Sequence, residues 1–519
     1  MIDKNSVQRA QEDPYVEEWL NRRRFLAATG GLASTAFAGC IGDSSGGSDG
    51  GDGGDGGDGG SGMNIPDDPD EAVDGTTITV SVDASPDVRP FRWLRDDIQE
   101  KTGIELTSDG INTYSFGKLF EQYQNDFVTQ TAPANATVFY PALLGTFAEN
   151  GHLQALDDMA EVWDPEMDDV MKRYRIMYSE WDGTQYAMPI DGDVHMMLYR
   201  EDLFEKYDRE VPTTWEEYNR EAKFFHENAD EVEAGTATYG HPSFGYAWWA
   251  NRFGSAGGKY FDEDMNPQFD TEAGRKACEH WKETAKYSPD ETINYAYMDV
   301  RKAFTQGRVA LSIQWNDIPK KCYLEGNIGD KWGGTTVPGW EDSDHEAVSG
   351  MPAGRVIAVP SYSSDEKKLA AYRWSQVKQS PEFSKHYVSD LHAGQDPFRE
   401  SHMDPKLYQE SNPHRDYEDA TSESSIPFDS RTKAQQYVTL TRNNLKQGYP
   451  EPNWPGAPRY TEAMGNELSK FIAGEQDTDT TLKNMDEKFN QIVDDLGREQ
   501  QEEYYSTVVD QWKRAGLWD

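Results

Sequence analysis

The stretch Thr76–Tyr140 constrains the fold more than any other, because strand-like and helix-like periods alternate along it. Thr76–Asp83 (TTITVSVD) alternates β-branched residues and reads as a buried strand. A turn follows, and Pro90–Thr102 reads as a helix. Ile104–Ser108 is a second strand. Phe116–Val128 carries Phe116, Leu119, Phe120, Tyr123 and Phe127 at helical spacing, and Ala136–Tyr140 is a third strand. This β-α-β-α-β order is that of a mostly parallel sheet flanked by helices. Ligands of such sheets lie beyond the carboxyl ends of the strands, which points to Asp83–Asp87 and to Phe139–Tyr140.

The chain has 519 residues. About 445 of them follow a Gly/Asp/Ser tract, which suits two lobes or domains. That tract, Ser44–Gly62, has nothing to bury and reads as a flexible tether within residues 41–75. Its GGDGGD rhythm lacks the apolar residue that a calcium-binding β-helix repeat needs. Ahead of it stands RRRFLAATGGLASTAFAGC. Arg22 and Arg23 precede a soft apolar run too short to span a bilayer, as in a twin-arginine export signal. Asn21 and Ala27 depart from the usual pattern. Phe37–Cys40 resembles a lipobox, in which Cys40 is lipidated, so residues 1–40 read as a signal. The expected location is the outer face of the cell membrane, with the lipid as anchor.

The net charge of −43 argues against nucleic acid and against a direct hold on an anionic membrane. The acidic residues are spread along the chain. Such self-repulsion is tolerable in molar salt, where the Debye length is about 3 Å, and points to a halophile. The three cysteines have no metal spacing, and a disulfide between Cys278 and Cys322 stays open. Asp262-x-Asp264-x-Asn266 has Pro267 and Ala273 where a calcium-binding loop needs Gly and Glu. No HExxH, GxSxG or Walker loop is present, so neither metal, cofactor nor catalytic residue is expected. Asn135-Ala136-Thr137 is a glycosylation sequon.

Further along, landmarks follow in order: YAMP at Tyr186–Pro189, REDLF at Arg200–Phe204, PTTWEEY at Pro212–Tyr218 and GGKYFD at Gly257–Asp262. Then come FDT at Phe269–Thr271, AFTQGRVA at Ala303–Ala310 with Trp315 shortly after, and a late Gly474-Glu475. Each is weak alone. Their common order from Thr76 to Gly497 resembles the carbohydrate-type, maltose-binding-like solute-binding proteins of ABC importers. The resemblance implies an α/β, two-lobe fold of the type II periplasmic-binding-protein kind, with the ligand in the cleft between lobes. Lobe 1 would comprise 76–189 and 349–394, and lobe 2 would comprise 194–338 and 397–519. The crossings would lie near Pro189–Val194, Val337–Met351 and Gly394–Phe398. The partners implied are a small sugar and the permease subunits, for a monomeric chain.

A sugar offers apolar C–H faces and dense hydroxyl edges, so its site needs aromatic plates and planar polar groups. Asp191 and Asp193, at i and i+2 of the first crossing, fall on one side of a strand. Tyr140 ends the third strand, and Asp87 follows the first. Trp315, with Asn316 and Asp317 beside it, stands where relatives place a tryptophan against the sugar. One of the adjacent Trp248 and Trp249 is expected in the cleft and the other in the core. Gly354 and Arg355 open a strand that lines the cleft in relatives, and Arg399 and Tyr460 complete the candidates. No Arg/Lys cluster is legible at these positions, which points to a neutral sugar rather than a sugar phosphate. The alternatives are a ligand-binding sensor component and a glycoside hydrolase using Asp191 and Asp193. The same-side placement of the two carboxylates argues against the hydrolase.

Overall fold

The computed structural model describes residues 63–114, 119–129, 134–325, 327–351, 354–415 and 425–518. Arg22, Arg23, Cys40 and the Gly/Asp tract lie outside the described residues. Gly62–Asp519 forms one compact unit. It begins ahead of Thr76: Asp68 caps the short helix Pro69–Val73 by accepting from the Glu71 N–H, and Val73 is fully buried. The Trp163 indole donates to Asp70 at 3.1 Å, which holds this segment on the body.

Two sheets, each flanked by helices, build the two lobes. The first contains β1 (Thr77–Asp83), β2 (Glu105–Tyr114), β3 (Ala136–Phe139), β4 (Ala187–Asp191) and β9 (Arg355–Ala358), in the order β2-β1-β3-β9-β4. The second contains β5 (His195–Arg200), β6 (Ala234–Thr236), β7 (Val309–Trp315) and β8 (Trp332–Thr335), in the order β8-β5-β7-β6. In the first sheet β1 to β4 run one way and β9 runs against both its neighbours. In the second sheet β5 runs against β8 and β7. Each sheet thus carries one reversed strand.

Local signals explain the elements. Ile78, Val80 and Val82 of β1 are fully buried in an apolar layer with Phe91, Ile98, Leu106, Val138 and Ile357. The expected helix Pro90–Thr102 is two pieces, Arg89–Trp93 and Arg95–Thr102, that hinge at Leu94. Gly103 ends the second piece at φ 72°, a left-handed conformation that favours glycine. In PTTWEEY, Thr214 accepts from the Glu217 N–H and starts the helix Trp215–Asn228. The helix Asp365–Gln379 covers β1, β3 and β4 of the first lobe. Helices Pro242–Ser255, Glu272–Ala285, Ala457–Ile472 and Thr478–Leu496 pack on one another. No described helix is long and apolar enough to cross a membrane.

Cys278 and Cys322 are both buried and free, on helices Glu272–Ala285 and Ile318–Glu325, so they form no disulfide. The sequon residue Asn135 is engaged within the lobe. Its side-chain oxygen accepts from the Thr79 N–H at 3.0 Å, and its amide donates to Ser363.

Candidate functional site

The reversed strands decide what meets at the crossing. Because β9 opposes its neighbours, its first residue, Arg355, lies at the edge where β1 ends in Asp83 and β4 in Asp191, just before Tyr140 leaves β3. Because β5 opposes β7, its first residue, His195, pairs with the last of β7, Trp315. Only residues 192–194 separate β4 from β5. The carboxyl edges of both sheets therefore converge on one short segment.

Arg355 is the hub. Its Nη2 lies 3.0 Å from Asp87 and 3.3 Å from Asp83, and its Nη1 lies 3.4 Å from Asp191 and 3.5 Å from Asp193. The guanidinium carbon sits 4.8 Å from the centre of the Tyr140 ring, a cation–π contact. Asp193 also accepts from the Gly354 N–H at 2.9 Å, and Ser85 donates to Asp87 at 2.6 Å. Gly354 adopts φ 70°, and a Cβ there would stand 1.7 Å from the Tyr174 hydroxyl. No larger residue fits.

A second knot ties the neighbouring crossing to this one. Gly192 N–H donates to the Asp396 carbonyl at 3.1 Å, and Asp396 N–H donates to the Asp191 carboxylate at 2.6 Å. Lys320, fully buried, pairs with the Asp396 carboxylate at 2.8 Å and donates to the Gln395 carbonyl at 3.0 Å. From the second sheet, Asn316 accepts from Val194 N–H at 3.0 Å and donates to the Gly192 carbonyl at 3.1 Å. Trp315 stands among the edges of His195, Tyr239, Tyr297 and Phe244, with ring centres 4.5 to 5.9 Å away. Tyr297 donates to Asp317.

Burial governs the charges. It raises Asp191 and Asp193 well above the usual carboxylate range. Repulsion adds to this, from Asp193 and Asp87 at Asp191 and from Asp396 at Asp193, and Arg355 offsets only part of it. Asp83 and Asp396 are raised for the same first reason, against Arg355 and Lys320 respectively. For Arg355, burial opposes the charge but the surrounding carboxylates hold it firmly protonated. Lys320 follows the same pattern, with Asp396 outweighing its burial. Burial lowers His195 to about 3, so its ring is neutral.

Asp87, Tyr140, Asp191, Asp193, Gly354 and Arg355 thus come together, with Trp315, Asn316 and Asp317 against the same crossing. Four candidates do not join them. Trp248 and Trp249 are both in the core of the second lobe: Trp248 packs on Arg252 and Trp281, and Trp249 stacks on Phe253 at 4.6 Å. Tyr460 is buried among the C-terminal helices and donates to Gln501. Arg399 caps carbonyls of Pro165, Glu166 and Gln379. A surface cavity of about 430 Å3 beside Arg459, Glu462 and Lys488 includes none of the residues at the crossing. Asp396, Lys320 and Tyr174 join this group as well. The crossing at Gly394–Phe398 pointed to Asp396, but no local pattern marked Lys320 or Tyr174.

Two lobes joined by crossing segments, with a polar and aromatic junction at the sheets' carboxyl edges, define the class of two-lobe solute-binding proteins. Residues 85–381 match the family described as bacterial extracellular solute-binding protein, and the chain belongs to that family. It is a family of binding proteins, not of enzymes. Solved structures share the fold. A solute-binding protein of an ABC transporter from Agrobacterium radiobacter, in complex with ribitol, superposes with a TM-score of 0.65 at 21% identity, over 81% of this chain and 99% of that one. Maltose-bound MalE3 of T. maritima gives 0.65 at 18%, over 80% and 100%. The D-mannitol-bound protein from Agrobacterium vitis gives 0.62 at 20%, over 81% and 99%.

Proposed function

We propose that this chain is the solute-capturing component of an ABC importer, and that it takes a sugar or polyol between its lobes. In this reading a twin-arginine signal exports it, a lipid on Cys40 holds it on the outer face of the membrane, and the Gly/Asp/Ser tether lets it reach the permease. At 5–6 Å × √n a tether of residues 41–62 has a mean reach of about 25 Å. The convergence of both sheets' carboxyl edges on residues 191–195 carries the proposal. That edge holds planar carboxylates, a guanidinium and an indole, which suit a ligand dense in hydroxyls. Ribitol, maltose and mannitol in structures of the same fold are ligands of this kind. Contacts made only when both lobes engage the ligand would shift the open–closed equilibrium toward closure.

The hydrolase alternative fails on geometry, since Asp191 and Asp193 both face the same Nη1 of Arg355 rather than opposite sides of a gap. The test is the melting temperature of the chain in molar potassium chloride against a panel of sugars, polyols and sugar phosphates. A ligand at 100 times its Kd adds about 2.7 kcal/mol, so one chemical class should raise the midpoint by several degrees. No shift with any sugar or polyol would refute the assignment.

A further inference from the structure

We propose that the junction selects a solute carrying a positive charge together with hydroxyls, an amino sugar or an amino polyol, over its neutral counterpart. This rests on the sugar or polyol reading above and deepens it.

The first observation is an imbalance of charge. Six carboxylates, Asp83, Asp87, Asp191, Asp193, Asp317 and Asp396, are buried around the crossing. Arg355 is shared among four of them, Lys320 serves Asp396, and Lys321 stands 4.0 Å from Asp317. Lys378, behind the sheet, is a fourth cation, and it is held against the Phe91 and Tyr387 rings rather than against a carboxylate. The acids still outnumber the bases, whereas the sequence, with no Arg/Lys cluster legible, pointed to a neutral sugar.

The second observation is independent of the count. Among the described residues, one oxygen each of Asp83, Asp87, Asp317 and Asp396 is buried without a hydrogen-bond donor, and the Arg355 Nε–H beside them lacks an acceptor, which a ligand hydroxyl would supply. The Tyr174 hydroxyl is also fully buried and unpartnered, and it abuts Gly354, whose N–H holds Asp193. Buried polar atoms of native proteins are paired as a rule, so this set marks where a donor is missing. A hydroxyl supplies one donor. An ammonium supplies three, and its charge offsets the acid excess. The raised proton affinities of Asp191 and Asp193, set first by burial, agree: carboxylates that favour a proton there would also favour a cationic ligand.

A bare divalent ion is a poorer fit. Carboxylate oxygens of Asp191, Asp193 and Asp396 lie within 4.8 Å of one another, but Arg355 and Lys320 already point their charges at that group. Ribitol, mannitol and maltose, bound in three structures of the same fold, are neutral, so the proposed charge preference differs from those three ligands.

The test is calorimetric titration of the full chain with two matched pairs, D-glucosamine against D-glucose and 1-amino-1-deoxy-D-sorbitol against D-sorbitol, and with calcium chloride alone. The expected result is that an amine binds its site at least about tenfold more tightly than its neutral twin. Asp193→Asn should shrink that ratio. The wild-type comparison stands even if the variant folds poorly. Equal or tighter binding of the neutral twin overturns the charge inference and leaves the sugar reading intact. Binding of calcium alone at this site also overturns it. Binding of none of the probes overturns it too, and, if the melting panel is equally silent, the sugar reading falls with it.

Discussion

Lys378 shows how far a single residue is governed by its surroundings. Its ammonium is fully buried on the helix Asp365–Gln379, 4.4 Å from the Phe91 ring centre and 4.1 Å from that of Tyr387, with no hydrogen-bond partner among the described residues. Burial lowers it from 10.5 to about 7, with Asp87 and Asp191 opposing. The folded state therefore binds fewer protons here than the unfolded state between about pH 7 and 10.5, and stability should rise with pH across that window. Lys378→Met removes the buried charge. We expect it to raise the urea midpoint at pH 7, with the gain shrinking as pH approaches 10, and a gain independent of pH would refute this. Other single residues were legible in the sequence for a different reason. Asp191, Asp193, Arg355 and Trp315 could be named because the family resemblance places a crossing or a cleft-lining strand end at each of them. Lys320, Tyr174 and Lys378 could not, because each is a polar residue inside an ordinary helical pattern, and only the packed structure shows what it faces.

At the scale of elements, the reversed strand β9 builds the site. Had it run parallel to β3 and β4, Arg355 would lie at the far edge of the sheet from Asp83 and Asp191. The strands before it were readable from β-branched alternation, as in TTITVSVD. Their order was not, because pairing joins residues more than two hundred positions apart. Trp248 and Trp249 show the same limit. The helix Pro242–Ser255 is covered by helices Glu272–Ala285 and Ala457–Ile472, so it is apolar on more than one face, and two adjacent tryptophans are both buried. The crossing elements also depend on close backbone contact. A Cβ on Gly192 would stand 2.2 Å from the Pro397 carbonyl oxygen. Gly192→Ala must push the two crossings apart, and a loss of about 1–3 kcal/mol in denaturant titrations is expected. An unchanged midpoint would mean that the crossings are looser than they stand here.

For the whole molecule, family membership and the two-lobe architecture agree with the motif order read along the chain. Residues ahead of Thr76 also belong to the folded body, as at Met63, whose N–H donates to Asp158 at 2.7 Å. The net charge of −43 is carried by acids dispersed along the whole chain, so low salt should loosen the molecule as a whole while the buried junction feels salt least. The central claim is that a solute binds where the two sheets' carboxyl edges meet. The most direct measurement is calorimetric titration, in molar potassium chloride, of the native chain and of its Trp315→Ala and Asp193→Asn forms with the solute that gives the largest melting shift. The account predicts that each substitution weakens binding by about tenfold or more while the protein still melts cooperatively. Unchanged affinity in both variants would contradict it and place the ligand elsewhere.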